Sequence, residues 1–239
     1  MGRAFEKRKH KIFANNAKNA RAFTRIGKEI AIAVKLGGTN PDANPRLRMV
    51  MQNAKSMNMP KDRVEAAIHR AAAKDAKAMD EVIFEGYGPY GVAVLVETAT
   101  DNNTRTVANI RMYFNRGEGS LGKQGSLDFI FNRKGIFTIE KGTRTLEDLE
   151  LELIDFGADE FESHENEVAV YTSFSDFGPM QKALEEKGIT IISAELDRIP
   201  ATYADVTPEQ RAEVMKMIEK IEEDEDVQNV FHNMREEEE

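Results

Sequence analysis

Residues 134–200 read KGIFTIEKGTRTLEDLELELIDFGADEFESHENEVAVYTSFSDFGPMQKALEEKGITIISAELDRIP. Short runs at 136–140, 159–163, 167–172 and 190–199, all but the second rich in β-branched residues, predict strands. Between them, 145–156 and 176–187 carry helical spacing, and Gly157 and Gly188 stand where helices end. Asn166 falls in the turn between the second and third strands, and Pro200 ends the run. Strand, helix, strand, strand, helix, strand is the split β-α-β order of a ferredoxin-like domain. That shape hosts many unrelated functions, so it decides the fold and leaves the activity open.

Outward from this segment the chain reads as two further pieces. Downstream, Pro208 opens a helix over 209–223 with Val214, Met217, Ile218 and Ile221 inward, and 227–234 reads as one more strand. That strand has no local partner. Upstream, 81–100 is strand-like (VIFE, GYGPYG, VAVLVETAT), followed by a turn and cap at Asp101, Asn102 and Asn103. A helix over 104–116 with Val107, Ile110 and Phe114 inward comes next, then a glycine-rich loop at 117–125. Residues 126–131 and 135–140 predict a long strand or hairpin turning at Asn132, Arg133 and Lys134. The last strand is therefore expected to return to the sheet that starts at Asp80, which makes the middle domain discontinuous.

The N-terminal part is helical. From Lys18, Phe23, Ile26, Ile30, Ala33 and Val34 recur at three- and four-residue steps, until Gly37 and Gly38. Asn44 is placed to cap a second helix from Pro45, with Leu47, Val50, Met51 and Ala54 inward. A third, over 61–73, buries Val64, Ala67, Ile68 and Ala71. The expected fold is α+β: an N-terminal three-helix bundle followed by two ferredoxin-like α/β domains, one inserted in the other. The expected boundaries are 1–79, 80–133 with 201–239, and 134–200.

Charge divides along the same line. Of the chain's 239 residues, 1–78 carry 18 Lys/Arg against 6 Asp/Glu, a surplus of +12, while the remainder carries −21, giving the overall −9. The pI of 5.2 averages the two. Charges separated by more than a Debye length of about 8 Å are largely screened from each other, so the basic head is judged by itself and is a candidate nucleic-acid surface; composition equally allows a solvated basic helical domain whose charge serves solubility or binds the acidic body. A hydrophobic fraction of 41% is enough for a folded core. No run approaches the roughly 18 apolar residues of a membrane span. Absence of cysteine excludes disulfides and thiolate metal sites. The opening MGRAFEKRKHKIFANNA has no signal-peptide core and reads as a basic arm. A cytoplasmic location is expected.

Two glycine patterns imitate nucleotide sites. Gly86, Gly88 and Gly91 spell GxGxxG, yet a strand follows where a dinucleotide site requires a helix, so a hairpin turn is expected. Gly117 to Lys123 nearly completes a phosphate-cradling loop. Gln124 replaces the magnesium-binding Ser/Thr, however, and the order is helix, loop, strand. Lys123 remains a phosphate contact. His10, His69, His164 and His232 lack metal-ligand spacing, and the acidic runs read as solvated helix faces. No catalytic residue, cofactor or metal site is expected, and hence no enzyme.

Six segments in order, FTRIGKEI, AVKLGGTNPDANPRLR, MNMPKDRVEAAIHR, FEGYGPYGVAVLVETATDNNTRTVANIR, LGKQGSLDFIF and DVQNVFHNM, resemble the YebC/PmpR family over nearly the whole chain. The resemblance implies a cytoplasmic DNA-binding transcriptional regulator. It also implies a rival role, since mitochondrial relatives are translational activators and bacterial members are linked to the ribosome. The family's usual start GHSKWANIKHRK is here MGRAFEKRKHKI, which keeps the charge and loses the tryptophan. In the first reading Lys7, Arg8, Lys9, Lys11, Lys18, Arg21, Arg25 and Lys28 contact duplex DNA phosphates. Asn15, Asn16, Asn19 and Arg46 or Arg48 are the candidates for base edges. In the second reading the same surface grips structured ribosomal RNA, and the α/β body reaches a functional centre through its loops, with 117–125 the candidate probe. Nucleic acid is the expected partner in both; monomer and weak dimer both remain open.

Overall fold

The structure, a computed structural model, describes residues 16–235. Helix α1 (Asn16–Gly37), α2 (Pro45–Ser56) and α3 (Lys61–Ala72) form the N-terminal bundle. Ile26, Ile30, Ala33, Val34, Leu47, Val50, Ala54, Val64 and Ala67 make its core, the inner faces that the apolar spacing marks. One buried polar residue ties the first two helices together. Asn44 accepts from Leu47 N–H at 3.0 Å to cap α2, and its amide donates to Ala33 O and Gly38 O, both at 2.8 Å, closing the end of α1. A Cβ at Gly37 would lie 2.7 Å from that amide, so the position has no room for a side chain.

Two compact units follow from the contacts: 1–73 with 133–197, and 74–132 with 198–239. In the second unit, β1 (Asp80–Tyr87) and β2 (Ala93–Thr100) form an antiparallel hairpin paired from Asp80↔Thr100 to Tyr87↔Ala93. Then come α4 (Asn103–Arg116), the short β3 (Ser120–Leu121), and, after the other unit's excursion, α7 (Pro208–Glu222) and β8 (Val227–His232). The sheet order is β3-β1-β2-β8. β8 lies antiparallel to β2, so the chain's end does return to the sheet begun at Asp80. One face packs on α4 and α7 through Phe84, Val94, Val96, Ile110, Phe114, Val214, Ile218 and Ile221. The opposite face, Ala93 and Leu95, is covered by Leu127, Ile130 and Phe131.

The first unit holds most of β4 (Phe131–Glu140), α5 (Leu146–Leu153), β5 (Ala158–His164), β6 (Glu167–Ser173), α6 (Phe177–Glu186) and most of β7 (Ile191–Pro200). Their order, β5-β6-β4-β7, is the split β-α-β arrangement. The other sheet is reached differently, by a leading hairpin. In the inserted sheet, Phe137, Ile139, Val168 and Val170 pack on Leu149, Leu153, Met180 and Leu184.

Within this unit α2 closes the sheet's outer edge. Asn53 donates to Ala194 O at 2.7 Å and accepts from Ala194 N–H at 3.0 Å, so its amide pairs with β7 as a neighbouring strand would. Gln52 donates to Ile191 O. An unpaired edge invites other strands, and α2 blocks this one.

One predicted element is corrected. Residues 126–130 are turn rather than strand, and β4 runs unbroken through Asn132, Arg133 and Lys134. Leu127, Ile130 and Phe131 are three and four residues apart, the spacing of one helical turn, and Ile130 N–H donates to Leu127 O at 2.8 Å. GYGPYG is a hairpin connection with a 3-10 turn at Pro89–Gly91.

Candidate nucleic-acid interface

The arm residues Lys7, Arg8, Lys9 and Lys11 lie outside the described residues, as does Asn15; α1 begins at Asn16. Lys18 is on the first turns of α1. Because α1 buries one stripe, its cations are forced onto the remaining circumference. Arg21 is exposed there, while Arg25 and Lys28 are half-buried and each engages a neighbour. Arg46, at the start of α2, is likewise half-buried and partnered.

Arg48 is engaged by other residues of its unit. Its Nε and Nη2 donate to Glu185 Oε1 and Oε2, both at 3.1 Å, and Nη1 donates to Pro41 O at 2.8 Å and Asp42 O at 3.0 Å. A guanidinium so occupied is a strut between α2 and α6.

Further exposed cations lie on the same three helices. Lys35, Lys55, Arg63 and Arg70 are exposed, with the Arg63 guanidinium 5.7 Å from the centroid of the Phe23 ring. Lys61 is 3.5 Å from Glu65 one turn on, and this exposed pair neutralises little of the field. The regional surplus of positive charge was the signal that could have found them.

Lys123 belongs to the other unit. It is exposed on the loop between β3 and β4, which is held by Glu85, a β1 residue that charge counting overlooked. Glu85 is 3% exposed, and its carboxylate accepts from Gly125 N–H at 2.8 Å and Leu127 N–H at 2.7 Å. Strand alternation was the available signal, because Phe84 faces α4 and α7 and Glu85 must face the other way.

A second buried acid organises the start of α4. Asp226 Oδ2 accepts from Arg105 Nη2 at 2.7 Å and Thr106 Oγ1 at 2.8 Å. Arg105 also meets Asp101 at 2.9 Å, and Lys77 meets Asp101 at the same distance. The Lys77 hydrogen bond first, then that of Arg105, holds the Asp101 carboxyl below its ordinary pKa. These four charges pair with one another around the start of α4. Among the described residues no group of His, Asp and Glu is arranged to hold a metal, and no helix is long and apolar enough to cross a membrane.

A helical N-terminal region followed by two antiparallel four-stranded sheets with helices defines an α+β protein whose surplus of positive charge lies in residues 1–78. Residues 3–74 match the TACO1/YebC protein N-terminal domain, and 79–234 match the TACO1/YebC second and third domain. The chain belongs to the TACO1/YebC family. It is 59% identical over 99% of its length, and 98% of the relative's, to a probable transcriptional regulatory protein of Parabacteroides distasonis. A protein of the same description from Porphyromonas gingivalis is 56% identical, with 100% and 99% covered. Among solved structures, a conserved hypothetical protein from Aquifex aeolicus matches with a TM-score of 0.78 at 34% identity, covering 94% of this chain and 93% of that one.

Proposed function

We propose that this chain is a non-catalytic regulator of transcription that binds duplex DNA through its basic N-terminal region. The observation that carries the reading is the surplus of +12 within residues 1–78 of a chain whose net charge is −9. Arg21, Lys35, Lys55, Arg63 and Arg70 are solvent-exposed and suited to phosphates, and Arg25, Lys28 and Arg46 stand beside them in the sequence. Phosphate contacts fix position and affinity while base edges fix sequence, so the arm and α1 supply the grip. Relatives over the full length are described as probable transcriptional regulatory proteins, which favours DNA as the polyanion.

Replacing Lys7, Arg8, Lys9 and Lys11 with Ala is expected to weaken duplex binding and flatten its salt dependence. Each lost phosphate contact removes about 0.9 from the slope of log K against log salt on B-DNA. A slope equal to the parent's would show that the arm does not touch phosphate. Crosslinking in cells then decides the target: promoter duplexes enriched over bulk DNA support the proposal, and crosslinks confined to ribosomal RNA overturn it.

A further inference from the structure

The loop between β3 and β4 is fastened more firmly than its short core contact demands. Glu85 takes the N–H groups of Gly125 and Leu127 on its carboxylate, adds the Ser126 hydroxyl at 3.4 Å, and accepts Gly122 N–H on its own carbonyl at 2.7 Å. Burying a carboxylate costs free energy unless its oxygens are satisfied, and here the satisfying donors are the loop's own backbone. Gly125 stands at φ +83°, a conformation that side chains rarely adopt. Leu127, Ile130 and Phe131 anchor the same loop in the sheet.

Between those anchors Phe129 points outward, 72% exposed, and Lys123 and Gln124 are exposed with it. A lone exposed aromatic is ordinary on a protein surface. A ring on a preorganised loop that also offers an ammonium group and an amide has the composition of a stacking platform for single-stranded nucleic acid. We propose that the loop at residues 122–130 is a second nucleic-acid contact, in which Phe129 stacks on an unpaired base and Lys123 meets a neighbouring phosphate. The base must be unpaired, because in a duplex both faces of every interior base are already stacked. An apolar pocket on a protein partner fits less well: Lys123, Gln124 and Asp128 surround the ring in sequence, and charge is depleted at the centre of protein interfaces. The inference rests on the nucleic-acid reading above and adds the strand state of the ligand.

The test uses the full chain with two oligonucleotides of equal length, one single-stranded and carrying 2-aminopurine, the other duplex. Phe129→Ala is expected to lower single-strand affinity roughly tenfold, to abolish 2-aminopurine quenching, and to leave duplex affinity unchanged. Phe129→Tyr, which keeps the ring, should retain both signals, and Phe129→Leu should behave as the alanine variant. Lys123→Ala should reduce the single-strand salt slope by about 0.7. Full quenching and affinity in Phe129→Ala, or in Phe129→Leu, would overturn the inference while leaving the duplex reading intact. Loss through Phe129 with no effect of the arm substitutions would sustain the loop and remove the arm. A parent chain that binds neither oligonucleotide would end both.

Discussion

Asp101 and Asn44 show how much of the local order rests on single polar groups. Asp101 ties the segment before β1 to the start of α4 through Lys77 and Arg105. Its folded pKa lies below the unfolded value near 3.9, so the contact stabilises the fold above that pH and is lost as pH falls through the folded value. A carboxyl carbon titration followed by NMR is expected to place the Asp101 midpoint below the reference. In Lys77→Ala the midpoint should rise toward it, since the largest cause of the depression is gone. Asn44 was legible as a cap because it precedes Pro45. Its second task at the end of α1 was not, since that bond spans the intervening loop to Ala33. Glu85 was missed for a related reason. An acid inside a strand looks like a solvated position until the segment that covers it is known, and residues 122–131 cover it from more than thirty positions away.

Among the helices and strands, the amphipathic pattern was the most readable signal. The inner faces of α1, α2, α3 and α7 are where three- and four-residue spacing puts them. Residues 126–130 failed because a hydrophobic run beside glycine fits a strand or a turn equally well; only the intervals between Leu127, Ile130 and Phe131 distinguish them. α2 carries a further property that periodicity does not reveal. One stripe serves the bundle core, while Gln52 and Asn53 on another stripe satisfy β7. Asn53→Ala would leave a buried strand N–H and C=O without partners, a cost of about 1–3 kcal/mol for a group so stranded. Denaturant unfolding of the full chain should show that loss with little change in slope, because the surface exposed on unfolding is the same. A stability equal to the parent's would mean that water replaces the amide without penalty. The exposed cations were legible only as a regional charge, because whether a given Arg meets solvent or, like Arg48, a carboxylate depends on α6, more than a hundred residues later.

In the molecule as a whole, the return of β8 was inferred from a strand with no neighbour, and the register Val94↔His232 to Thr98↔Val227 shows where it goes. β2 is the inner strand it completes, with Ala93, Val94, Leu95 and Val96 at 0, 0, 1 and 0% exposure. Removing residues 226–239 takes away that partner and the Asp226 carboxylate beneath Arg105 together. The shortened chain is expected to express as insoluble material or to bind a hydrophobic dye, and a soluble, cooperatively unfolding product would contradict the importance of the closure.

Synthesis from the N-terminus gives this closure a temporal meaning. β1 and β2 leave the ribosome more than a hundred residues before β8, at about 5–20 residues per second. For several seconds the most apolar strand of the protein is an open border that the inserted unit cannot cover in sequence-neighbour fashion. A chain that stalls or terminates early in α7 never closes it. β2 therefore gains its second strand neighbour only once residues 227–232 have been made, late in synthesis.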